Sequence, residues 1–379
     1  MKKAIFYVSF LLIFLLFPFN IFANNVKNEI YDSIEGELKD FENTLPEYVL
    51  DYFPDGSLSD NVQTTLENTL NEGNLINYIT EYLFSGINKT LKTFNGILVL
   101  LLISSIFEML SHTSNSQALH IAFTSCSTLC ITIYVFNVCA SLATNVTTYS
   151  KILMNAMSSF APIMATMQIL SGNISTAAIG NGAIVLFIAL TDVLLVSCML
   201  PLIKICLVLS SIKYIGGIEF AGISKLIRNS FTSVTIFIMS IFMFVFSLKN
   251  IISQGADTLT IKTARFAISS FLPIVGASIN DALRTVSSSL GLIKSSCGVL
   301  AIVIIALIML PIIIYLFLNK ISFGLLGGIS KILNCNKQAD ILDEASSLCT
   351  YMLTIVSCTC ILFIFAVTIF ITTSSEVAI

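Results

Sequence analysis

Six long apolar segments constrain this chain more than any other feature of its sequence. Each has 17 to 26 residues, and a helix needs about 20 apolar residues to cross the hydrocarbon of a bilayer. In lipid, every backbone polar group must find its partner inside the protein, and an α-helix meets that demand within one segment. The sequence therefore predicts an all-α, polytopic helical membrane protein. The six segments are residues 95–111, 118–143, 178–203, 231–248, 297–318 and 347–372.

The composition agrees with this class and excludes others. Hydrophobic residues make up 56% of the 379 residues and charged residues only 11%, whereas a soluble domain carries about 25% charged residues. The net charge of −3 offers no basic surface for nucleic acid. A soluble enzyme, a disordered tail and a nucleic-acid-binding protein are therefore excluded, and the lipid bilayer is the first partner.

The N-terminus has the pattern of a signal peptide over residues 1–23. Lys2 and Lys3 precede an apolar run over residues 4–19, and a positive start before an apolar stretch is typical of an export signal. Ala23 and Asn24 flank the expected cleavage point. An uncleaved membrane anchor is the alternative, and both interpretations place the residues that follow outside the cytosol.

Residues 24–93 are predicted to form an exported, acidic, helical domain. They hold 13 acidic and 4 basic residues, and Leu38 and Phe41 belong to an apolar repeat at helical spacing that Pro46 closes. All ten cysteines lie at or beyond Cys126, so this domain is expected to be stabilised by apolar packing and not by disulfides. Its helices either pack on each other or dock a partner protein.

Three short motifs recur in the same order and indicate an internal duplication. SSFAPIM at 158–164 returns as SSFLPIV at 269–275, and GISKLI at 222–227 returns as GISKIL at 328–333. Between them, Leu-Pro recurs at Pro201 and Pro311. We therefore predict two transmembrane helices followed by two copies of one unit, with domains over residues 94–149, 150–256 and 257–379.

The duplicated prolines are candidate helix-break or gating positions. Proline removes a backbone donor and frees a carbonyl, so we expect helix breaks at Pro162 and Pro273. Pro201 and Pro311 are further candidates for a break or a gate. Ordinary kinks are the alternative. The proline segments 152–171 and 266–280 either span or re-enter the membrane. Spanning segments give inverted copies, as in many secondary transporters, whereas re-entrant segments give parallel copies.

Charged residues near the membrane provide the remaining candidate sites. Asp192 lies inside an apolar segment and Glu108 near the end of the first, so both are candidate intramembrane polar groups. Lys225 and Lys331 occupy equivalent places in the GISK motifs. They lie in the basic stretches 204–229 and 320–334, which we expect at the membrane interface, where the lysines contact lipid headgroups or a partner subunit.

The sequence contains no signature of an enzyme. His112 and His120 have no carboxylate or cysteine cluster near them, and the one-residue spacing of Cys358 and Cys360 does not suit a structural zinc site. No Walker motif occurs. We expect no catalytic residue, cofactor or metal, and any energy source must lie in a partner.

The leader, the acidic helical domain and the duplicated apolar region resemble the stage III sporulation protein AE family of endospore-forming Firmicutes. The stretch 256–315 is the most specific, above all ADTLTIKTARFAISSFLPIVGASINDA. The resemblance implies a multi-pass protein of the mother-cell membrane around the forespore. It implies partners from the same sporulation operon, including a cytosolic ATPase and ring-forming ectodomain proteins, together with stage II sporulation protein Q. It supplies no catalytic residue.

Three functions remain open from the sequence. The chain is a membrane component of a channel-like, secretion-like apparatus between mother cell and forespore, or a non-conducting assembly platform for that complex. A secondary transporter built on inverted repeats is the third alternative.

Overall fold

A computed structural model describes residues 36–51, 72–113, 117–171, 173–199, 201–206, 208–209, 221–271 and 276–372. The described residues are almost entirely helical, as the sequence predicts. The predicted signal peptide, its cleavage point at Ala23 and Asn24, and Pro273 lie outside these residues. The helices are α1 (residues 36–44), α2 (Glu47–Leu50), α3 (Glu72–Thr113), α4 (Gln117–Leu170), α5 (Ile174–Thr191), a π-helix (Asp192–Met199), α6 (Ala221–Phe271), α7 (Gly276–Ile332) and α8 (Asn336–Thr372).

Six helices in the described part of the chain are long and apolar enough to span a membrane. They are α3 to α8, and each contains or overlaps one of the six predicted apolar segments, so that prediction is confirmed. Several are much longer than a bilayer: the 57 residues of α7 extend for about 85 Å, whereas the hydrocarbon is about 30 Å thick. Parts of these helices therefore project beyond the membrane.

One end of the bundle, here called the Phe41 end, carries α1 and α2. Phe41 packs against Phe160 near the end of α4, with ring centroids 5.3 Å apart. Thr166 donates a hydrogen bond of 2.9 Å to Glu37, and the ring of Tyr48 lies 6.3 Å from that of Tyr82. The buried side chains of Leu38 and Phe41 confirm the apolar face that the helical spacing predicts.

The opposite end, here called the Arg228 end, gathers the polar ends of five helices. Ser104 of α3 and Ser127 of α4 are hydrogen-bonded at 3.1 Å, and Gln338 of α8 donates to both. Arg228 near the start of α6 pairs with Glu344 of α8. Consecutive spanning helices therefore run alternately between the two ends, and α1, α2 and the end of α8 share the Phe41 end.

The prolines and the proline segments differ from expectation. Pro162 and Pro311 lie inside the continuous helices α4 and α7, so the helix break expected at Pro162 is absent, and a gating role of either proline stays a prediction. One lost helical hydrogen bond does not end a helix of 54 or 57 residues whose other bonds and packing persist. Residues 152–170 continue α4 and are neither a separate span nor a re-entrant segment. Pro201 lies in a helical stretch, residues 201–206, next to the π-helix.

Three predicted domain boundaries also fall inside helices: residue 93 in α3, residue 149 in α4 and residue 256 in α6. The limit between the exported domain and the first span, at residue 93, lies within α3, so residues 72–93 join the membrane part without a linker. Residues 221–229 begin α6 and residues 320–332 end α7. Residues 221–229 and 320–332 are therefore the ends of spanning helices and not separate interfacial helices; residues 210–220 of the first basic stretch lie outside the described residues.

The motif copies lie at matching ends of the bundle. GISKLI begins α6 and GISKIL ends α7, and both are at the Arg228 end. The first SSF-x-P motif lies near the end of α4, and Phe271 of the second is the last residue of α6, so both motifs reach the Phe41 end. The duplication stays a prediction, but this placement fits parallel copies and argues against the inverted arrangement of the secondary-transporter alternative.

The core lies where α7 and α8 pack against α4. Phe160, Phe323 and Phe363 are fully buried there. Gly298 of α7 allows a close approach, because a Cβ at this position would clash with the side chain of Ile371. Small residues at such contacts are how membrane helices pack tightly.

Candidate functional site

A polar cleft between α6 and α8 opens at the Arg228 end. Its volume is about 660 Å³. The α6 positions recur at three- and four-residue steps, so they form one helical face, and most of the α8 positions do the same. The cleft is charged at its mouth and carries hydroxyl groups further in. Its lining is Lys225, Arg228, Asn229, Thr232 and Ser233 from α6, with Asp340, Asp343, Glu344, Ser347, Thr350, Tyr351 and Thr354 from α8.

The Arg228–Glu344 pair joins the two walls of the cleft. Arg228 Nη1 contacts Glu344 Oε1, and Nη2 donates to Oε2 at 3.2 Å. The side chains are only 8% and 17% exposed. The two parallel contacts suit the planar guanidinium group. The attraction between the two charges offsets part of the cost of removing each of them from water. The pair therefore fixes the start of α6 against α8.

A second ion pair joins α7 to α8 at the same mouth. Lys331 Nζ lies 2.7 Å from Asp343 Oδ2, with both side chains about half exposed. Gly327 makes room for the carboxylate, because a Cβ there would lie 2.7 Å from Asp343 Oδ1. An exposed pair of this kind adds little stability, so its main effect is to place charge at the surface.

The structure brings the two predicted GISK lysines to one site. Lys225 lines the cleft with an exposed side chain, and Lys331 holds Asp343, which lines the same cleft. The sequence predicts both lysines as contacts for headgroups or partners, but it gives no sign that they share a mouth. That proximity arises because α6 begins and α7 ends at the same end of the bundle.

A buried polar network lies beside the cleft. Gln338 Nε2 donates to Ser104 at 3.0 Å, Ser127 at 3.2 Å and Thr128 at 3.3 Å. Cys335, at the turn between α7 and α8, contacts Ser104 Oγ at 3.8 Å. Burial raises the pKa of the Cys335 thiol, so this cysteine stays a neutral packing group and a weak nucleophile.

The two predicted intramembrane acids have different surroundings. Glu108 is half-buried and accepts a hydrogen bond of 3.2 Å from Thr124 of α4, so it joins α3 to α4 near the polar network. Asp192 is exposed and begins the π-helix. Neither residue lines the cleft. The sequence therefore located two acids but not the main polar site.

Asp257 is a buried acid that the sequence analysis missed. It is 4% exposed and accepts hydrogen bonds from the backbone N–H groups of Ser175 at 3.0 Å and Thr176 at 2.9 Å. Thr176 Oγ1 adds a third bond of 2.8 Å. A carboxylate at a helix N-terminus is stabilised by the unpaired N–H groups and the helix dipole. Asp257 therefore caps α5 from α6.

The arrangement can bind and orient charged or hydrogen-bonding groups, but it does not form a metal centre. Among the described residues, no group of three or more His, Cys, Asp or Glu side chains could hold a metal ion. The ion pairs at the mouth offer both signs of charge, and the cleft behind them offers hydroxyl oxygens. These are the elements of a binding surface.

The spanning helices and the polar cleft define the class: a multi-pass, α-helical membrane protein. A family model described as stage III sporulation protein AE matches residues 57–374, and the chain belongs to this family. The chain is also similar to stage III sporulation protein AE of Bacillus subtilis (strain 168), with 26% identity over 145 residues, which are 38% of this chain and 36% of that protein. No solved structure matches it. The chain is therefore a sporulation-related membrane protein, as the resemblance predicts.

Proposed function

We propose that the chain is an integral membrane component of the channel-like apparatus that joins the mother cell to the forespore and sustains forespore development. Family membership over residues 57–374 and the six apolar helices support this role. The apparatus is secretion-like in layout, and this chain supplies part of its membrane core.

The proposed location is the mother-cell membrane around the forespore. With the N-terminal residues exported, the Phe41 end faces the space between the two membranes, and the Arg228 end faces the mother-cell cytosol. Ring-forming ectodomain proteins of the operon and stage II sporulation protein Q are then the partners at the Phe41 end. The cytosolic ATPase is the partner at the Arg228 end, and it supplies the energy for which this chain has no motif.

The observation that carries the proposal is the convergence of charged helix ends around the cleft. Lys225, Lys331 and Asp340 are exposed there. Exposed charges of both signs around a cleft favour a steered, specific contact with another protein. We assign this mouth as the contact for the cytosolic partner.

The platform alternative rests on a different observation. In the most apolar stretch of α7, 56% of the residues are buried, and large side chains such as Phe323 of α7 and Phe363 of α8 fill the centre of the chain. A tightly packed centre favours a subunit that holds others in place, with any wide path formed between chains and not through one chain.

Swapping the charges of Lys331 and Asp343 tests whether the mouth of the cleft contacts the cytosolic partner. We expect Lys331→Glu to lower spore yield, and we expect the double variant Lys331→Glu with Asp343→Lys to remain defective although its internal ion pair is restored. The measurement is heat-resistant spore yield, with protein level in the membrane fraction as the control. Full recovery in the double variant would show that the pair acts only inside the chain, and it would contradict the assignment of this mouth to a partner.

A further inference from the structure

The inner part of the cleft lies at membrane depth, where hydroxyl groups that face an empty cavity are energetically unfavourable. From Asp340 to Thr354 the lining follows α8 for about 20 Å, and Thr354 is near the midpoint of the apolar segment Asn336–Ile371. Polar side chains at such depth normally face a partner or a water-filled cavity. The cleft volume of about 660 Å³ leaves ample room for water.

Tyr351 is a wall residue of the cleft, and its hydroxyl is unpartnered in the part of the chain that the structure describes. It is 5% exposed and lines the cavity, yet its hydroxyl has no hydrogen-bond partner among the described residues. A buried hydroxyl left unpaired costs about 1–3 kcal/mol. A hydrogen bond to a water molecule removes that cost. Thr235, on the α6 face that also carries Arg228 and Thr232, has an unpartnered buried hydroxyl as well within the described part of the chain.

The serine and threonine hydroxyl groups of α8 indicate which ligand the cleft prefers. Ser347 donates to the Asp343 carbonyl at 2.9 Å, and Thr354 donates to the Thr350 carbonyl at 2.9 Å. Thr350 likewise donates to a carbonyl of its own helix at 3.0 Å. Since each hydrogen is used within the helix, the oxygens present only lone pairs to the cleft. Oxygen lone pairs bind water and cations in preference to anions.

The charges at the mouth do not oppose this preference, because they are mostly paired. Three carboxylates and two cationic side chains line the cleft, and the pairing of Arg228 with Glu344 leaves the guanidinium directed at a carboxylate and not at a ligand. With Lys331, which pairs with Asp343 at the same mouth, three cations stand against three carboxylates, so the mouth is close to neutral and the preference for cations rests on the hydroxyl oxygens.

We infer that the cleft between α6 and α8 is a water-filled crevice that admits small hydrophilic cations from the Arg228 end to the level of Thr354. The crevice belongs to this chain alone, so it does not depend on the partners proposed above. The crevice brings water into the helix bundle from the Arg228 end to about half-way along α8.

Thiol labelling in native membranes tests this inference. Thr354→Cys places a thiol at the inner limit of the crevice, and Ile361→Cys places one two turns further along the same face of α8, where the side chain is 57% exposed. Both variants are treated with two methanethiosulfonate reagents of similar size, the cationic ethyltrimethylammonium and the anionic ethylsulfonate. Peptide mass spectrometry locates the label, so the native cysteines stay in place and the unsubstituted protein is measured in parallel.

We expect the thiol at 354 to react with the cationic reagent at least about tenfold faster than the thiol at 361, because thiolate formation requires water. We also expect the cationic reagent to react about fivefold faster than the anionic one at 354. Ser347→Cys, at the exposed mouth, serves as the control for folding and access. Equal rates at 354 and 361 would overturn the crevice, and equal or faster reaction with the anionic reagent would overturn the preference for cations.

Discussion

The hydrogen bond from Tyr78 to α7 allows a sharp test of how this fold accommodates a proline. Pro311 has no N–H group, so the carbonyl of Leu307, four residues earlier, loses its helical donor. Tyr78 Oη donates to that carbonyl at 2.9 Å. A tyrosine hydroxyl is protonated at neutral pH and can donate its hydrogen. The tyrosine therefore replaces the missing backbone donor.

Tyr78→Phe should destabilise the protein by about 1–2 kcal/mol, because it leaves a buried carbonyl without a donor. Pro311→Ala restores the backbone N–H, so the same Tyr78→Phe change should cost less in that background. The difference between the two costs isolates the bond to Leu307. Tyr78→Phe keeps the ring, whose centroid lies 4.6 Å from that of Tyr82, and its other effects are the same in both backgrounds.

The assay is reversible unfolding of the purified full chain in mixed micelles, with the four proteins of the double-mutant cycle compared at one temperature. We expect a coupling energy of about 1 kcal/mol between positions 78 and 311. A cost for Tyr78→Phe that is the same with proline and with alanine at position 311 would refute the argument. It would show that the tyrosine does not compensate for the proline.

Three further changes follow from the packing and the capping contacts. Asp257→Ala should lower stability by about 1–2 kcal/mol, because it removes the cap of α5, whereas Asp257→Asn should cost less; thermal unfolding of the two variants measures the difference. Gly298→Val should cost about 1–3 kcal/mol by overpacking, and Ile371→Ala in the same chain should recover part of the loss in the melting temperature. Pro162→Ala should leave spore yield unchanged, because Pro162 is exposed inside a continuous helix; a strong sporulation defect would restore it as a gating residue.

The number and order of the spanning helices could be predicted from the sequence because hydropathy is a local property. Each apolar segment must cross the bilayer by its own length. The continuity of α4 could not be predicted in the same way. Pro162 indicates a break in isolation, but a 54-residue helix retains nearly all of its backbone hydrogen bonds around one proline.

The cleft was only partly predictable. Lys225 and Lys331 were visible as repeated basic residues, whereas Arg228 and its partner Glu344 are separated by 116 positions. Nothing in a single sequence pairs residues so far apart. Asp257 was missed because it lies beyond the predicted segment 231–248, and its role depends on the start of α5, which packs against it only in the folded chain.

The central claim is that this chain is a membrane component of the apparatus that sustains the forespore after engulfment. The most direct measurement follows a fluorescent reporter of late forespore-specific transcription, in single sporulating cells that lack the chain or carry it on a second copy. The account predicts normal engulfment, loss of the late reporter in cells without the chain, and recovery with the second copy. Wild-type reporter activity and spore yield in cells without the chain would contradict it.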